Sequence, residues 1–440
     1  MLSNALIGFV LVLFVLVCIA IRRLDRAWLH SYNPFVLVAG ATILYTLSPW
    51  ADSGGTEDPH LGDFLIMQTV AVLGMAVGAV IAHLRHPTRE LKKMTAVPRF
   101  GTHPIIVAQV MGIGFFLLAY EYYLGGLQNI FLFGYREITT AELDSTWRFV
   151  TLVVAQYGIP AILLAAFMTG VRKNFFYLVT AIYVLLMLAS GTRNFLIMFT
   201  GNLMLFSSVV RRRLSYPKLA LASTAGLLLL LTVGIYRNFG VEARNDFYSL
   251  YRSEGLKVLN PNSQELGTSF SVFRISQSES NWYDWTPGES YWNALLSVVP
   301  TFIWPGRPDS VSRKFSAYFA VPGEGLGFSN NLEALLNGGI VLVFVVNALM
   351  LYSVIWVYNR YVVEQVTMFG LAFYGNIVFV AFNWNRIDFQ TVFKISLIRI
   401  ALFYAIAAIL LKIVDTRLPH PALARRGEAP KARAPRPSLK

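Results

Sequence analysis

Charge is scarce in this chain of 440 residues: 14% are Asp, Glu, Lys or Arg, while 55% are hydrophobic. Soluble domains carry about a quarter charged residues. The polar surface is therefore too small to cover a globule in water, and a bilayer has to supply the missing solvent. Cysteine is almost absent. The one cysteine, Cys18, lies in the first apolar run, so no intrachain disulfide can staple an exported loop, and its plain reading is a small packing residue. Histidine is sparse as well. His30, His60, His83, His86, His103 and His420 show no metal-ligand spacing, and the chain has no Asp-x-Asp pair and no phosphate-binding glycine loop. Metal-dependent nucleotide-sugar chemistry and ATP hydrolysis are poorly supported, and neither a metal nor another cofactor is expected.

What the chain does have is an excess of base, with a net charge of +13 and a pI near 9.7. The basic residues come in short runs between apolar spans and in a tail, not as a basic face with aromatics interleaved. No nucleic-acid partner is therefore expected, and cytoplasmic loops of a membrane protein are. The first apolar run has no positive charge ahead of it and Arg22, Arg23 and Arg26 behind it. That is the reverse of a cleavable signal peptide, so it is expected to remain as a helix.

A span needs about 20 apolar residues to cross roughly 30 Å of hydrocarbon with its backbone hydrogen bonds satisfied internally. Runs of that kind lie near 3–21, 33–50, 61–83, 104–124, 149–170, 175–190, 195–210, 219–236, 333–357, 366–384 and 396–414. The expected fold is an all-α polytopic membrane protein with about eleven spans. Most of the 37 Lys and Arg fall on one side: Arg22/Arg23/Arg26, Arg85 to Arg99, Arg172/Lys173, Arg211 to Lys218, Arg360 and Lys412 to Lys440. That side is read as cytoplasmic. The resulting organisation is spans one to eight over 1–236, a large outer loop over 237–332, spans nine to eleven over 333–414, and a basic cytoplasmic tail over 415–440, with the N-terminus outside. The tail is rich in Pro, Ala and Arg and suits an unstructured segment lying against anionic lipid.

Three features stand on the outer side: a loop from about Gly125 to Arg148, the tight turn Ser190-Gly191-Thr192-Arg193-Asn194, and the long loop. Connections that long usually carry function or structure of their own. Inside it, Ser290 to Trp304 is apolar, broken by Pro300, and reads as an interfacial or re-entrant helix. Trp282, Trp285, Trp292 and Trp304 accompany it, either as headgroup anchors or as a platform on which sugars stack.

Arginines collect on the same side. Arg193 sits in the turn, Arg237 follows span eight, Arg244 lies about two helical turns on, Arg386 closes span ten, and Arg136, Arg274, Arg307, Arg313 and Lys314 add to them. Each alone reads as a helix-end cation. Together they suit a diphosphate, because a guanidinium stays charged and forks onto phosphate oxygens. Asn330, Glu333 and Asn337 are spaced three and four apart, so a helix puts them on one face at the outer mouth of span nine. A carboxylate with two amides can orient a sugar hydroxyl or accept its proton; equally, an acid at a helix N-terminus answers the helix dipole. The glycines after them, Gly338 and Gly339, are expected to permit close helix approach. Asp388 stands two residues after Arg386 and is a candidate partner for it.

Ser190-Gly191-Thr192-Arg193-Asn194, Ile235-Tyr236-Arg237-Asn238-Phe239-Gly240, Val299-Pro300-Thr301-Phe302-Ile303-Trp304-Pro305-Gly306-Arg307-Pro308, the segment from Ser329 to Gly339, and Asn385-Arg386-Ile387-Asp388-Phe389 occur in this order on one expected membrane face. In that order they resemble the Wzy-type O-antigen, or oligosaccharide repeat-unit, polymerases. The resemblance covers roughly Ser190 to Arg399 and rests on short motifs. It implies a GT-C-like, metal-independent membrane glycosyltransferase in the bacterial inner membrane that joins undecaprenyl-diphosphate-linked repeat units at the periplasmic face, beside a flippase and a chain-length regulator. Arg193, Arg237 and Arg386 would then hold diphosphates and stabilise the leaving group. Arg136, Arg244, Arg307, Asn330, Asn337 and Asp388 would contact substrate, and Glu333, or else Asp246 or Asp388, would position or deprotonate the acceptor hydroxyl.

Three rival readings remain. O-antigen ligases resemble one another in a loop histidine, and the 237–332 loop has none. A lipid-phosphate-dependent GT-C transferase would carry acids in its first outer loop, where Glu57 and Asp58 stand. A lipid-oligosaccharide flippase would need charges through the bilayer depth and symmetric halves, whereas here the charges lie at the rim.

Overall fold

The computed structural model describes residues 2–25, 32–52, 58–86, 114, 173–189, 201–205, 267–279, 282–283, 286–297, 299, 303–319, 327–364, 368–396 and 400. Among these the chain is helical throughout, with no strand. The helices are α1 (Leu2–Leu24), α2 (Pro34–Asp52), α3 (Pro59–Arg85), α4 (Lys173–Ala189), α5 (Thr268–Ser278), α6 (Glu289–Leu296), α7 (Val311–Tyr318), α8 (Asn330–Tyr358), α9 (Met368–Phe382) and α10 (Phe389–Phe393). A π-helical turn, Asn359–Glu364, continues α8.

Four of them, α1, α2, α3 and α8 with its π-turn, are long and apolar enough to cross a membrane, as the runs at 3–21, 33–50, 61–83 and 333–357 predict. The chain is a membrane-embedded helical protein. The runs at 175–190 and 366–384 correspond to the shorter α4 and α9. The runs at 104–124, 149–170, 195–210, 219–236 and 396–414, the tail, and the loop to Arg148 lie outside the described residues but for short pieces.

Burial along α1 follows a seam. Ile7, Val10, Val17 and Ile21 are buried, while Phe9, Val12, Leu16 and Ile19 are exposed. Apolar side chains facing outward on a helix of this length suit hydrocarbon and not water. Half-buried Cys18 packs against the same core, as the small-residue reading expects.

Among the described helices α3 and α8 share the most extensive contact, and two glycines allow it. A Cβ on Gly74 would collide with the Phe344 carbonyl oxygen, and one on Gly78 with that of Ala348. These four-apart glycines let two backbones meet without intervening side chains. The matching offsets, 74 to 344 and 78 to 348, also show that α3 and α8 run parallel. Helix α2 runs the other way, since Asn33 before its start meets His83 near the end of α3. So does α9: Tyr374 OH donates to the Tyr32 carbonyl, and the Trp384 carbonyl after its end accepts from Asn330 N–H. The bundle therefore has a Glu333 end, where α1, α3 and α8 begin, and an Asp25 end, where they finish.

Gly338 and Gly339 behave differently from the expectation. Instead of seating a neighbouring helix they interrupt α8, with Gly339 at φ 67° and ψ −164°. That backbone region is nearly closed to residues with a Cβ. Asn330 to Asn337 thus form a short helical piece at the bundle's rim, and the long apolar helix starts afresh behind it. Close approach comes instead from Gly74 and Gly78.

Candidate functional site

The rim piece of α8 carries Glu333, whose side chain is fully buried. Both carboxylate oxygens have donors. Ser290 Oγ donates to Oε1 at 2.6 Å, and the Phe389 backbone N–H donates to Oε2 at 2.6 Å. Ser290 belongs to α6 and Phe389 opens α10, so one carboxylate pins two short helices to the bundle. Asn337, one turn along, donates from Nδ2 to Ser290 Oγ at 2.8 Å and to the Glu333 carbonyl at 2.7 Å. The shared face of Glu333 and Asn337 read from their spacing is present, and it points at α6.

The turn between α9 and α10 closes the other side. Asn330 donates from Nδ2 to the Ile387 carbonyl at 2.7 Å. Asp388 caps α10, its Oδ1 accepting from Thr391 N–H at 2.9 Å, and its Oδ2 accepts from Ser312 N–H of α7 at 3.3 Å. The carboxylate thus serves two backbone amides, in place of the expected pairing with Arg386. Arg386 itself lies in the turn, where its backbone carbonyl crowds Gly327 so closely that no Cβ fits there.

Arg307 donates from Nη1 to the carbonyls of Ser297 at 3.0 Å and Val299 at 2.9 Å. It therefore neutralises the C-terminal end of α6, where a cation is favourable. Helix α6 ends at Leu296, about half the length that the apolar stretch to Trp304 suggests. The structure thus gathers Glu333, Asn330, Asn337, Asp388 and Arg386 at one end of the bundle, with Arg307 at the end of α6. Arg136, Arg193, Arg237 and Arg244, and also Asp246, lie outside the described residues.

No family model matches the chain, and no curated protein or solved structure does either.

Behind the site runs a chain of buried amides that the sequence reading passed over. Asn331 Nδ2 donates to Gln68 Oε1 at 3.0 Å and to Asn385 Oδ1 at 2.9 Å; Asn347 Nδ2 donates to Asn331 Oδ1 at 2.9 Å; Asn385 Nδ2 donates to Thr42 Oγ1 at 2.9 Å. These bonds tie α2, α3, α8 and the α9–α10 turn together under the rim. Polar residues inside apolar runs are costly and are retained with partners. Asn331, Asn347, Gln68 and Thr42 were visible in the sequence on that ground.

One of the tryptophans expected as headgroup anchors or a sugar platform is neither. Trp282 is a core residue, edge-on to Phe315 at 5.2 Å and Phe328 at 5.8 Å, with its indole N–H donating to the Ser276 carbonyl at 3.1 Å. Trp292 and Trp304 are exposed, and Trp285 lies outside the described residues. Asp58 is the N-cap of α3, accepting from His60 N–H at 2.9 Å, and lies 3.8 Å from Arg274. A cap with Pro59 at the first helical position accounts for it; Glu57 is outside the described residues.

Tyr291 of α6 packs edge-on against Phe389 at 4.8 Å. Burial, with the Glu333 carboxylate beside it, pushes the phenol well above its ordinary pKa. It remains a hydrogen-bond donor at any physiological pH.

Proposed function

We propose that this chain is a GT-C-like glycosyltransferase with about eleven spans in the bacterial inner membrane. It joins undecaprenyl-diphosphate-linked repeat units into O-antigen or a related surface polysaccharide. The Glu333 end is periplasmic and the Asp25 end cytoplasmic, a placement supported by Arg22, Arg23, Arg85 and Arg360 at the ends of α1, α3 and α8.

The observation that carries the reading is the convergence of Glu333, Asn337 and Asp388 with the Arg386 turn at one rim of an apolar bundle. A polar cluster there, built from short helices outside the spans, suits a substrate with a lipid tail in the bilayer and a sugar outside it. In the reaction the acceptor hydroxyl attacks the anomeric carbon of the growing chain, and the bond from that carbon to the diphosphate oxygen breaks. Undecaprenyl diphosphate departs with its charge held by Arg193, Arg237 and Arg386. Glu333 takes the hydroxyl proton if the acceptor displaces Ser290 Oγ; with that contact intact, it fixes α6 and α10. The flippase supplying the repeat and the chain-length regulator are the partners this activity requires.

Deletion of the gene and electrophoresis of the surface polysaccharide test the reading. A ladder collapsed to single repeats, restored by wild type and not by Arg193→Ala or Arg386→Ala, is expected. An unchanged ladder returns the flippase and ligase readings. An Arg193→Lys variant with full-length polymer removes the bidentate phosphate role.

A further inference from the structure

Three short helices, α5, α6 and α7, cap the Glu333 end, and they are held by different means. Helix α5 buries Val272 and Phe273, and α7 buries Val311 and Phe315, in one apolar core shared with the first turns of α3 and α8. Helix α6 contributes no residue to that core or to the others among the described residues. The residues it buries are Ser290 and Ala294, both small, while Trp292 and Leu295 are 61% and 46% exposed. Its main apolar hold is the Tyr291 ring, edge-on to Phe389 at 4.8 Å. Little hydrophobic free energy therefore opposes its release, and helices with few buried apolar contacts are the ones that open locally.

Among the described residues, every hydrogen bond from α6 to the bundle runs through Ser290. Its Oγ donates to Glu333 Oε1 at 2.6 Å and accepts from Asn337 Nδ2 at 2.8 Å, and its N–H makes a longer contact with Asn337 Oδ1 at 3.4 Å. The remaining side-chain bonds stay within the helix and its first turn. Glu289 Oε2 accepts from the Thr286 N–H and hydroxyl at 3.2 and 3.3 Å, and Oε1 accepts from Asn293 Nδ2 at 3.4 Å. Helix α6 thus caps itself and can leave as one piece.

The carboxylate beneath it is held asymmetrically. Glu333 Oε2 accepts from Phe389 N–H of α10, and Asp388 ties the start of α10 to Ser312 of the core-packed α7. Glu333 Oε1 has the Ser290 hydroxyl. Lifting α6 uncovers Oε1 and Asn337 Nδ2 and leaves the carboxylate still oriented by Phe389. Those two atoms then offer one acceptor and one donor to a single hydroxyl, the place that Ser290 fills in the closed form.

We infer that α6 is a displaceable latch: Ser290 closes over Glu333 and Asn337, and release of α6 exposes them while α5, α7 and α10 stay docked. The latch itself rests on how these helices are packed; that it guards a reacting carboxylate rests on the proposed function.

The test uses the full chain in lipid nanodiscs, first by hydrogen exchange. Amides of residues 292–296 in α6 are expected to exchange at least about ten-fold faster than those of α5 and α7. Second, a water-soluble carbodiimide with glycine ethyl ester marks the carboxylates that water reaches, read by peptide mass spectrometry. Glu333 and Asp388 are both buried and should react slowly in the wild type. Ser290→Ala removes the tie and should raise modification of Glu333 about ten-fold, the scale of one lost hydrogen bond to a charged group, with Asp388 unchanged. Exchange in α6 no faster than in α7, or Glu333 modification unmoved by Ser290→Ala, overturns the latch. Equal rises at Glu333 and Asp388 overturn it too, because the whole rim has then loosened. Selective exposure of Glu333 in a chain that makes no polymer from sugar-bearing carrier keeps the latch and rejects the polymerase. Polymer from a chain whose α6 is as protected as α7 does the opposite.

Discussion

Polar side chains are buried at both ends of α3 and α8, and the two ends are built from different material. At the Asp25 end the partners are the ends of long helices. Asn33 Nδ2 donates to Asp25 at 3.0 Å and faces His83 Nε2 at 3.1 Å, while Tyr358 OH donates to the same Asp25 oxygen at 3.1 Å. Phe35 N–H donates to Asn33 Oδ1 at 3.0 Å, which fixes the amide so that its NH₂ group meets His83. At the Glu333 end the carboxylate's partners are α6 and α10, short helices that do not span. One end ties spans to one another; the other ties non-spanning helices to spans. The first stabilises the bundle, whereas the second sets the position of everything that could touch a substrate.

Removing each carboxylate should separate these duties, with the largest effects expected anywhere in the chain. Asp25→Leu orphans one N–H of Asn33 Nδ2, which keeps His83 Nε2, and the Tyr358 O–H; Glu333→Leu orphans the Ser290 O–H, whose oxygen still accepts from Asn337, and the Phe389 N–H; each should cost about 2–6 kcal/mol at one to three per orphaned donor. Thermal unfolding in detergent would show similar losses. Limited proteolysis would not, since cleavage around residues 286–297 should rise only in the Glu333 variant. Equal protection of α6 in both variants would erase the distinction between the ends. Glu333→Gln sharpens it further: its oxygen can accept from Phe389 N–H, but its NH₂ cannot accept the Ser290 O–H, so stability should fall by about 1–3 kcal/mol, less than in Glu333→Leu. Loss of polymer in that variant identifies the carboxylate as the base, while full polymer length leaves it a positioning residue.

The division between the ends bears on what could be read beforehand. Spans were legible because hydrocarbon imposes a length and a composition, and α1, α2, α3 and α8 match their runs closely. The pairing of Glu333 with Asn337 was legible because helical spacing fixes it. Ser290 was not, since nothing local in Gly288-Glu289-Ser290 announces a contact with a residue 43 positions away. Gly338 and Gly339 were misread for a related reason: two adjacent glycines fit equally a close helix contact and a broken helix, and only the backbone angles decide. The true close-contact pair, Gly74 and Gly78, carries a four-residue spacing that was open to reading.

Middle-sized effects test the bundle between the two ends. Gly78→Leu pushes α3 off α8 at the Ala348 carbonyl and should cost upward of about 1–3 kcal/mol by overpacking, seen as a lower melting temperature with both ends loosened. Gly339→Ala meets no atom within 4 Å, so its cost is backbone strain alone, about 1–3 kcal/mol. Because the break lies between the rim piece and the span, its effect should appear in the Glu333 end: faster proteolysis of α6, with the Asp25 end unmoved. A stabilised Gly339→Ala would mean that the helix prefers to run straight through.

The smallest effect is expected at Gln68, between the two ends, and its smallness is informative. Gln68 Oε1 accepts one bond from Asn331 Nδ2, but its own Nε2 is buried with no partner among the described residues. Gln68→Met removes that orphaned donor while Asn331 Nδ2 keeps Asn385 Oδ1 at 2.9 Å. A lost acceptor and a removed unpaired donor are each worth about 1 kcal/mol and of opposite sign. The melting temperature should therefore change little, whereas Asn331→Leu, which breaks three bonds of the amide chain, should lower it clearly. A large loss from Gln68→Met would mean that Nε2 has a partner and is no orphaned donor.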